Sequence, residues 1–134
     1  MGKGQVSMEF LLIMGIAFVM LIPTLILFLT QSQDMQEDVT SVQLNKLAEE
    51  LVLASDTVYY LGEPSKKTIK VYMPKFVESI NFTMNRMLFN VDSGHLKYTL
   101  LKVTAANITG NLSSEPGVHI IEIVSEGDTV RITG

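Results

Sequence analysis

Three asparagines in the second half of the chain stand two residues ahead of a hydroxyl: Asn81-Phe82-Thr83, Asn107-Ile108-Thr109 and Asn111-Leu112-Ser113. This N-x-S/T spacing is the acceptor pattern for N-linked glycosylation. With 6 asparagines and 21 serines plus threonines among 134 residues, about one such pattern is expected by chance, so three is a modest excess. Asn81 should project away from Ile80 and Phe82, onto a solvent face. Glu9 offers a different chemistry. Its carboxylate stands at the edge of an apolar run with no further ionisable side chain before Asp34. A charge there is costly in lipid unless something pairs with it.

Nothing else in the chain points to catalysis, and no enzyme, metal or cofactor is expected. Cysteine is absent, which excludes disulfides, thiolate metal sites and cysteine nucleophiles. His95 and His119 are the only imidazoles, and both fall in expected strands without carboxylates at ligand spacing. There is no Gly-rich phosphate loop, no G-x-S-x-G elbow and no helix-borne carboxylate pair. Lys66, Lys67 and Lys70 form a short basic patch beside a turn, the pattern of a solvated edge that resists sheet-to-sheet pairing.

Composition places these residues in one domain of 134 residues, 47% hydrophobic and only 18% charged. That apolar content excludes a disordered chain. A net charge of −4 argues against a nucleic-acid partner. Charge is also uneven: residues 5–61 hold seven acids (Glu9, Asp34, Glu37, Asp38, Glu49, Glu50, Asp56) and one base, Lys46, whereas residues 62–134 are nearly balanced.

Phe10 to Leu29 reads FLLIMGIAFVMLIPTLILFL, apolar on every side except at Thr24. A helix of that length rises ~30 Å, about the hydrocarbon thickness of a bilayer. A secretory signal would have a shorter apolar run and a small-x-small cut, which Leu29-Thr30-Gln31-Ser32-Gln33 matches poorly. A retained membrane-spanning helix over 10–29 is the expectation. Met1-Gly2 raises N-myristoylation, but Val6 stands where that pattern wants Ser or Thr. Pro23 removes the hydrogen bond to the Val19 carbonyl and tends to kink the helix, which membrane helices tolerate. Gly15 allows close helix approach.

Lys3-Gly4-Gln5-Val6-Ser7-Met8-Glu9-Phe10 resembles the class III signal of archaeal type IV pilins, a K-G-Q-x-S-x-E-F type pattern. The resemblance is specific over residues 3–29 and weak beyond them. It implies that a prepilin peptidase cuts between Gly4 and Gln5 on the cytoplasmic side, leaving the apolar helix on the mature chain. Residues 1–4 would be the signal peptide, and Glu9 the fifth residue of the mature protein, where type IV pilins generally keep a glutamate. The α-amino group freed at Gln5 can pair with Glu9 of a neighbouring subunit. Both charges are expensive alone in an apolar filament core, and pairing sets axial register. Archaellins share this plan but are usually longer and differ around the cut.

The segment 34–61 continues as an amphipathic helix. Leu44, Leu47, Leu51, Ala54, Val58 and Leu61 form a narrow apolar stripe of helical period that should pack on the rest of the chain. The acids decorate the other faces as a solvated surface without calcium-loop spacing. Gly62 is a natural helix stop and Pro64 prevents continuation. One helix from about residue 6 to 61 would be ~80 Å long. Beyond it, over 62–134, the period falls to two. Thr68 to Met73, Ile80 to Met84, Met87 to Val91, His95 to Val103, Val118 to Ser125 and Thr129 to Thr133 read as strands. Turns are expected at Asp92-Ser93-Gly94, Glu115-Pro116-Gly117 and Glu126-Gly127-Asp128. With no helix between them, antiparallel pairing follows.

The expected fold is therefore α+β: a long N-terminal hydrophobic helix followed by an antiparallel β-sheet or small β-sandwich head. The resemblance implies a structural pilin subunit of an archaeal adhesion pilus. The precursor sits in the membrane with its head outside, and the mature form in an extracellular pilus. Its partners would be identical subunits, the prepilin peptidase and the pilus assembly platform. Such pilins are often glycosylated, which marks Asn81, Asn107 and Asn111. The alternatives are a monomeric membrane-anchored binding module outside the cell and an archaellin-like filament subunit.

Overall fold

Helix formers run without a breaker other than Pro23 up to Gly62, and helix α1 extends from Gly2 to Leu61. This computed structural model describes residues 2–134. Met1, part of the expected signal segment, lies outside the described residues, as do the side chains of Lys3, Gln33 and Asp34. The chain divides into two units, Met1–Asp38 and Val39–Gly134.

In the first unit the helix starts earlier than the expected residue 6, so the Gly4–Gln5 bond lies inside its first turns. The helix stays continuous through Pro23. Every large apolar side chain from Phe10 to Leu29 is exposed. Two threonine hydroxyls here bond back to their own helix. The Thr24 hydroxyl donates to the Met20 carbonyl at 2.8 Å, and that of Thr30 to the Leu27 carbonyl at 2.9 Å. By length and composition this helix can cross a membrane.

The second unit begins with the rest of α1, where Leu44, Leu47, Leu51, Ala54 and Val58 are buried as the periodicity predicts. Ala48 and Ser55 are buried beside them, so the stripe is wider than a 3-4 seam. Leu61 departs from the expectation: it is 72% exposed. The Gly62 N–H donates to the carbonyls of Val58 and Tyr59, and its positive φ of 76° ends the helix there. The last turn therefore contributes no side chain to the core at Leu61.

Seven strands follow: β1 (Lys66–Met73), β2 (Val77–Thr83), β3 (Arg86–Asp92), β4 (Lys97–Val103), β5 (Asn107–Asn111), β6 (Gly117–Ser125) and β7 (Thr129–Thr133). They form two sheets, a four-stranded one in the order β1-β6-β7-β5 and a three-stranded one in the order β2-β3-β4. Strict alternation on β1 buries Ile69, Val71 and Met73 and leaves Lys66, Thr68 and Lys70 outside. These residues, Ile121 and Ile123 of β6, Val130 and Ile132 of β7, and Met87, Phe89 and Val91 of β3 make one core with the helix stripe. The α+β architecture is the expected one.

Two local expectations are corrected. His95 is not in a strand: β4 begins at Lys97, and residues 93–96 are a turn. The Gly94 N–H donates to Asp92 Oδ1, and the Leu96 N–H to Ser93 Oγ. Lys97 Nζ lies 2.6 Å from Asp92 Oδ2. That hydrogen bond, with the Gly94 N–H, holds the Asp92 carboxyl below its usual range. Pairing is also not antiparallel throughout, because β5 runs parallel to β7. The chain from Asn111 to Gly117 crosses to the far side of β7 before β6 begins, which brings β5 back in the same direction as β7. Gly110 makes that pairing close. Its φ is 115°, and a Cβ there would lie 1.9 Å from the Ile132 carbonyl oxygen. Gly110→Ala is expected to destabilise the unit by about 1–3 kcal/mol from backbone strain alone. An unchanged melting temperature would show that the strand shifts freely.

Leu51 is fully buried where the helix stripe meets the sheets. Leu51→Ala should leave a cavity costing about 2–5 kcal/mol, a large share of a small domain's stability of about 5–15 kcal/mol. Thermal unfolding of residues 39–134 checks this, and a wild-type midpoint would remove Leu51 from the core.

Candidate processing and assembly site

The first turn of α1 carries the two residues at the expected cut. Gly4 is exposed, and nothing lies within 4 Å of where its Cβ would be. Gln5 is exposed beside it. The first four N–H groups of a helix have no carbonyl partners within it, so this end is its least secured part. Gly2 and Gly4 weaken it further, by about 1 kcal/mol each relative to alanine. A peptidase needing an extended substrate therefore meets little resistance to unwinding here.

Glu9 is one turn beyond Gln5, at i+4, on the same helix face. Its carboxylate is exposed and makes no ion pair or hydrogen bond among the described residues. Between Phe10 and Asn45 the sequence of the helix holds no cationic residue. Pro23 lies further along the exposed apolar segment, within unbroken helix. The structure thus places Gly4, Gln5 and Glu9 together within two turns, while Pro23 is remote from them.

Asn81, Asn107 and Asn111 belong to the other unit, and all three are exposed. Asn81 lies opposite to its half-buried neighbours Ile80 and Phe82, as strand alternation predicts. Asn107 and Asn111 open and close β5. His119 of β6 has Nε2 2.7 Å from the Glu115 carbonyl oxygen, a local contact. No group of three or more His, Asp or Glu side chains suited to a metal occurs among the described residues. Two acids on the second half of α1 bind within the unit: Asp56 Oδ1 accepts from the Ala105 N–H at 2.9 Å, and Glu49 pairs with Lys102 at 3.4 Å.

One feature was not singled out from the sequence. Val39, Val42, Leu53 and Tyr60 are each more than half exposed on α1. At 100° per residue their positions fall within one narrow face, opposite the buried stripe. The outer face of the helix in this unit therefore carries four exposed apolar side chains among polar ones. Spacings of 3, 11 and 7 residues carry that signal, but Lys46 and Glu49 lie on the same face and break it. Compared with family models, curated proteins and solved structures, the chain finds no match.

Proposed function

We propose that this chain is the structural subunit of an archaeal type IV adhesion pilus. It polymerises through its N-terminal hydrophobic helix after prepilin peptidase cuts between Gly4 and Gln5. The observation that carries this reading is Glu9. A carboxylate without a partner among the described residues stands at the mouth of a 20-residue apolar run, four residues after Gln5 in an easily unwound first turn. A simple anchor gains nothing from that charge. A polymer gains register, because the new amine at Gln5 is the complementary group on the next subunit. Before assembly the helix is held in the membrane with the Val39–Gly134 unit outside. Assembly then moves it from lipid into a bundle of identical helices on the pilus platform.

The test is electron microscopy of material sheared from the cells that make this chain, with antibody against residues 39–134. Decorated filaments, containing a chain that begins at Gln5, are the expected result. Antibody confined to the membrane, on a chain that still begins upstream of Gly4, would instead establish a monomeric anchored module.

A further inference from the structure

The two sheets leave four edge strands, β1, β5, β2 and β4, and three of them are protected. β2 and β5 adjoin: the Ile108 N–H donates to the Met84 carbonyl, just past β2, at 2.6 Å, and the Ser114 hydroxyl donates to the Glu78 carbonyl at 3.3 Å. β1 carries Lys67 and Lys70, exposed and without an ion pair among the described residues. An incoming strand meets those charges, a common defence of an open edge. β4 has no such defence. Its two lysines are neutralised within the unit, Lys97 by Asp92 at 2.6 Å and Lys102 by Glu49 at 3.4 Å. On its outer face Leu101 and Val103 are 48% and 55% exposed.

The backbone of β4 is open on the same edge. Before the strand the Ser93 N–H donates to the Leu96 carbonyl, and after it the Thr104 N–H donates to the Asn85 carbonyl. Hydrogen-bonded and open pairs alternate along an antiparallel ladder, so Tyr98, Leu100 and Lys102 turn their N–H and C=O groups to β3. Those of Lys97, Thr99, Leu101 and Val103 turn to the free edge, where no strand receives them. A second β4 laid antiparallel offers the same four. Centring the pair on Leu100 sets Thr99 opposite Leu101 and Lys97 opposite Val103, in both directions and over the whole strand. Edge-facing groups then meet edge-facing groups. Lys102 stands opposite Tyr98, and no lysine stands opposite a lysine.

We infer that β4 joins two copies of this chain, merging their three-stranded sheets into one sheet of six strands across a two-fold axis. The same contacts fix which copies meet. Lys102 lies beside Glu49 and the Ala105 N–H beside Asp56, so β4 runs in the direction of this part of α1. The two-fold axis reverses one strand and, with it, one helix. Successive subunits of a single filament share a direction, so this contact does not form between them. It joins copies in separate, oppositely directed filaments, and it forms between isolated chains whether or not they polymerise.

The full chain in detergent tests this without filaments, and the absence of native cysteine makes each introduced thiol informative. Thr99→Cys and Leu101→Cys chains are made separately, then mixed under mild oxidation. In this register the two positions are hydrogen-bonded partners with Cα atoms about 5.5 Å apart, within the disulfide range. Each position and its own counterpart lie on a diagonal of about 7–8 Å, past the limit for a bridge without backbone movement. The mixture is expected to form disulfide dimers faster than either variant alone, and exposed Thr68→Cys on β1 should stay reduced. A second measurement uses charge. Val103→Lys sets lysine against Lys97 twice per dimer and should weaken self-association by roughly two- to thirty-fold in sedimentation. Val103→Glu sets a carboxylate there and should keep or tighten it. Equal rates for the mixture and the single variants would overturn the proposal. So would equal dimerisation of Val103→Lys and Val103→Glu, the result expected if apolar helices alone hold the copies together. Microscopy scores filaments separately, so this inference and the pilus reading can each fail alone.

Discussion

Glu9→Ala is expected to give a processed, membrane-held subunit that forms few or no filaments. Apolar helices slide past one another with little preference, because lipid-like contacts are non-directional. In the proposed filament, the carboxylate of Glu9 would meet a neighbour's terminal amine and break that degeneracy, since one axial offset pairs both charges. Removing the acceptor leaves the amine buried and unpaired, at a cost of roughly 3–5 kcal/mol per subunit in a dry filament core. That is a factor of more than 100 at every assembly step. Processing should continue, because the Gly4–Gln5 bond is untouched. Co-expression with wild type should restore filaments in part, since a variant subunit still offers its amine to a wild-type Glu9. Filaments at wild-type abundance from Glu9→Ala alone would end the register role and favour the monomeric anchor.

Gly4→Val should stop maturation altogether. A peptidase must bring its catalytic groups against the backbone of the bond it cuts, and a residue without Cβ allows the closest approach. Open space around Gly4 means that the substitution does not disturb the chain itself. Its effect therefore reports on handling by the peptidase, through close approach and through extension of the first turn. Valine also stiffens the first turn through its restricted χ1 and raises the cost of extending it, relative to glycine. Uncut precursor in the membrane and a bare cell surface are the expected results. A chain that still begins at Gln5, read by N-terminal sequencing, would remove the assignment of the cut.

The two variants separate processing from assembly, which the single helix α1 otherwise combines. On the proposed function, Gly4→Val is expected to block the step that creates the amine, and Glu9→Ala to remove the group that receives it. Both leave the core of the Val39–Gly134 unit untouched, since its buried side chains begin at Thr40. Loss of filaments in either variant, with an unchanged melting temperature for that unit, locates the defect in the N-terminal segment.

Much of this protein is local, and local features are legible in a sequence. The Leu44–Val58 stripe repeats within a turn of helix, Gly62 ends α1 through its own φ, and Glu126-Gly127-Asp128 joins two alternating runs into the β6–β7 hairpin. Each is set by residues a few positions apart, so period and turn chemistry suffice to find it. Strand β5 is the opposite case. Asn107 to Asn111 has one large apolar residue, Ile108, and a glycine, and nothing in that run marks a strand. It becomes one because β7, 22 residues away in register, presents a free edge to it, and because Gly110 lets the two backbones touch. The β2–β3 turn is similar. Met84 takes a positive φ of 53°, held where its carbonyl accepts from Ile108 and that of Asn85 accepts from Thr104. The approach of β5 to the end of β2, through the Ile108 N–H and the Met84 carbonyl, follows from the same contacts. Segments that lack their own periodic signal take their conformation from partners distant in the chain, and the free energy that holds them comes from burial and pairing that exist only once both sheets have closed over the helix.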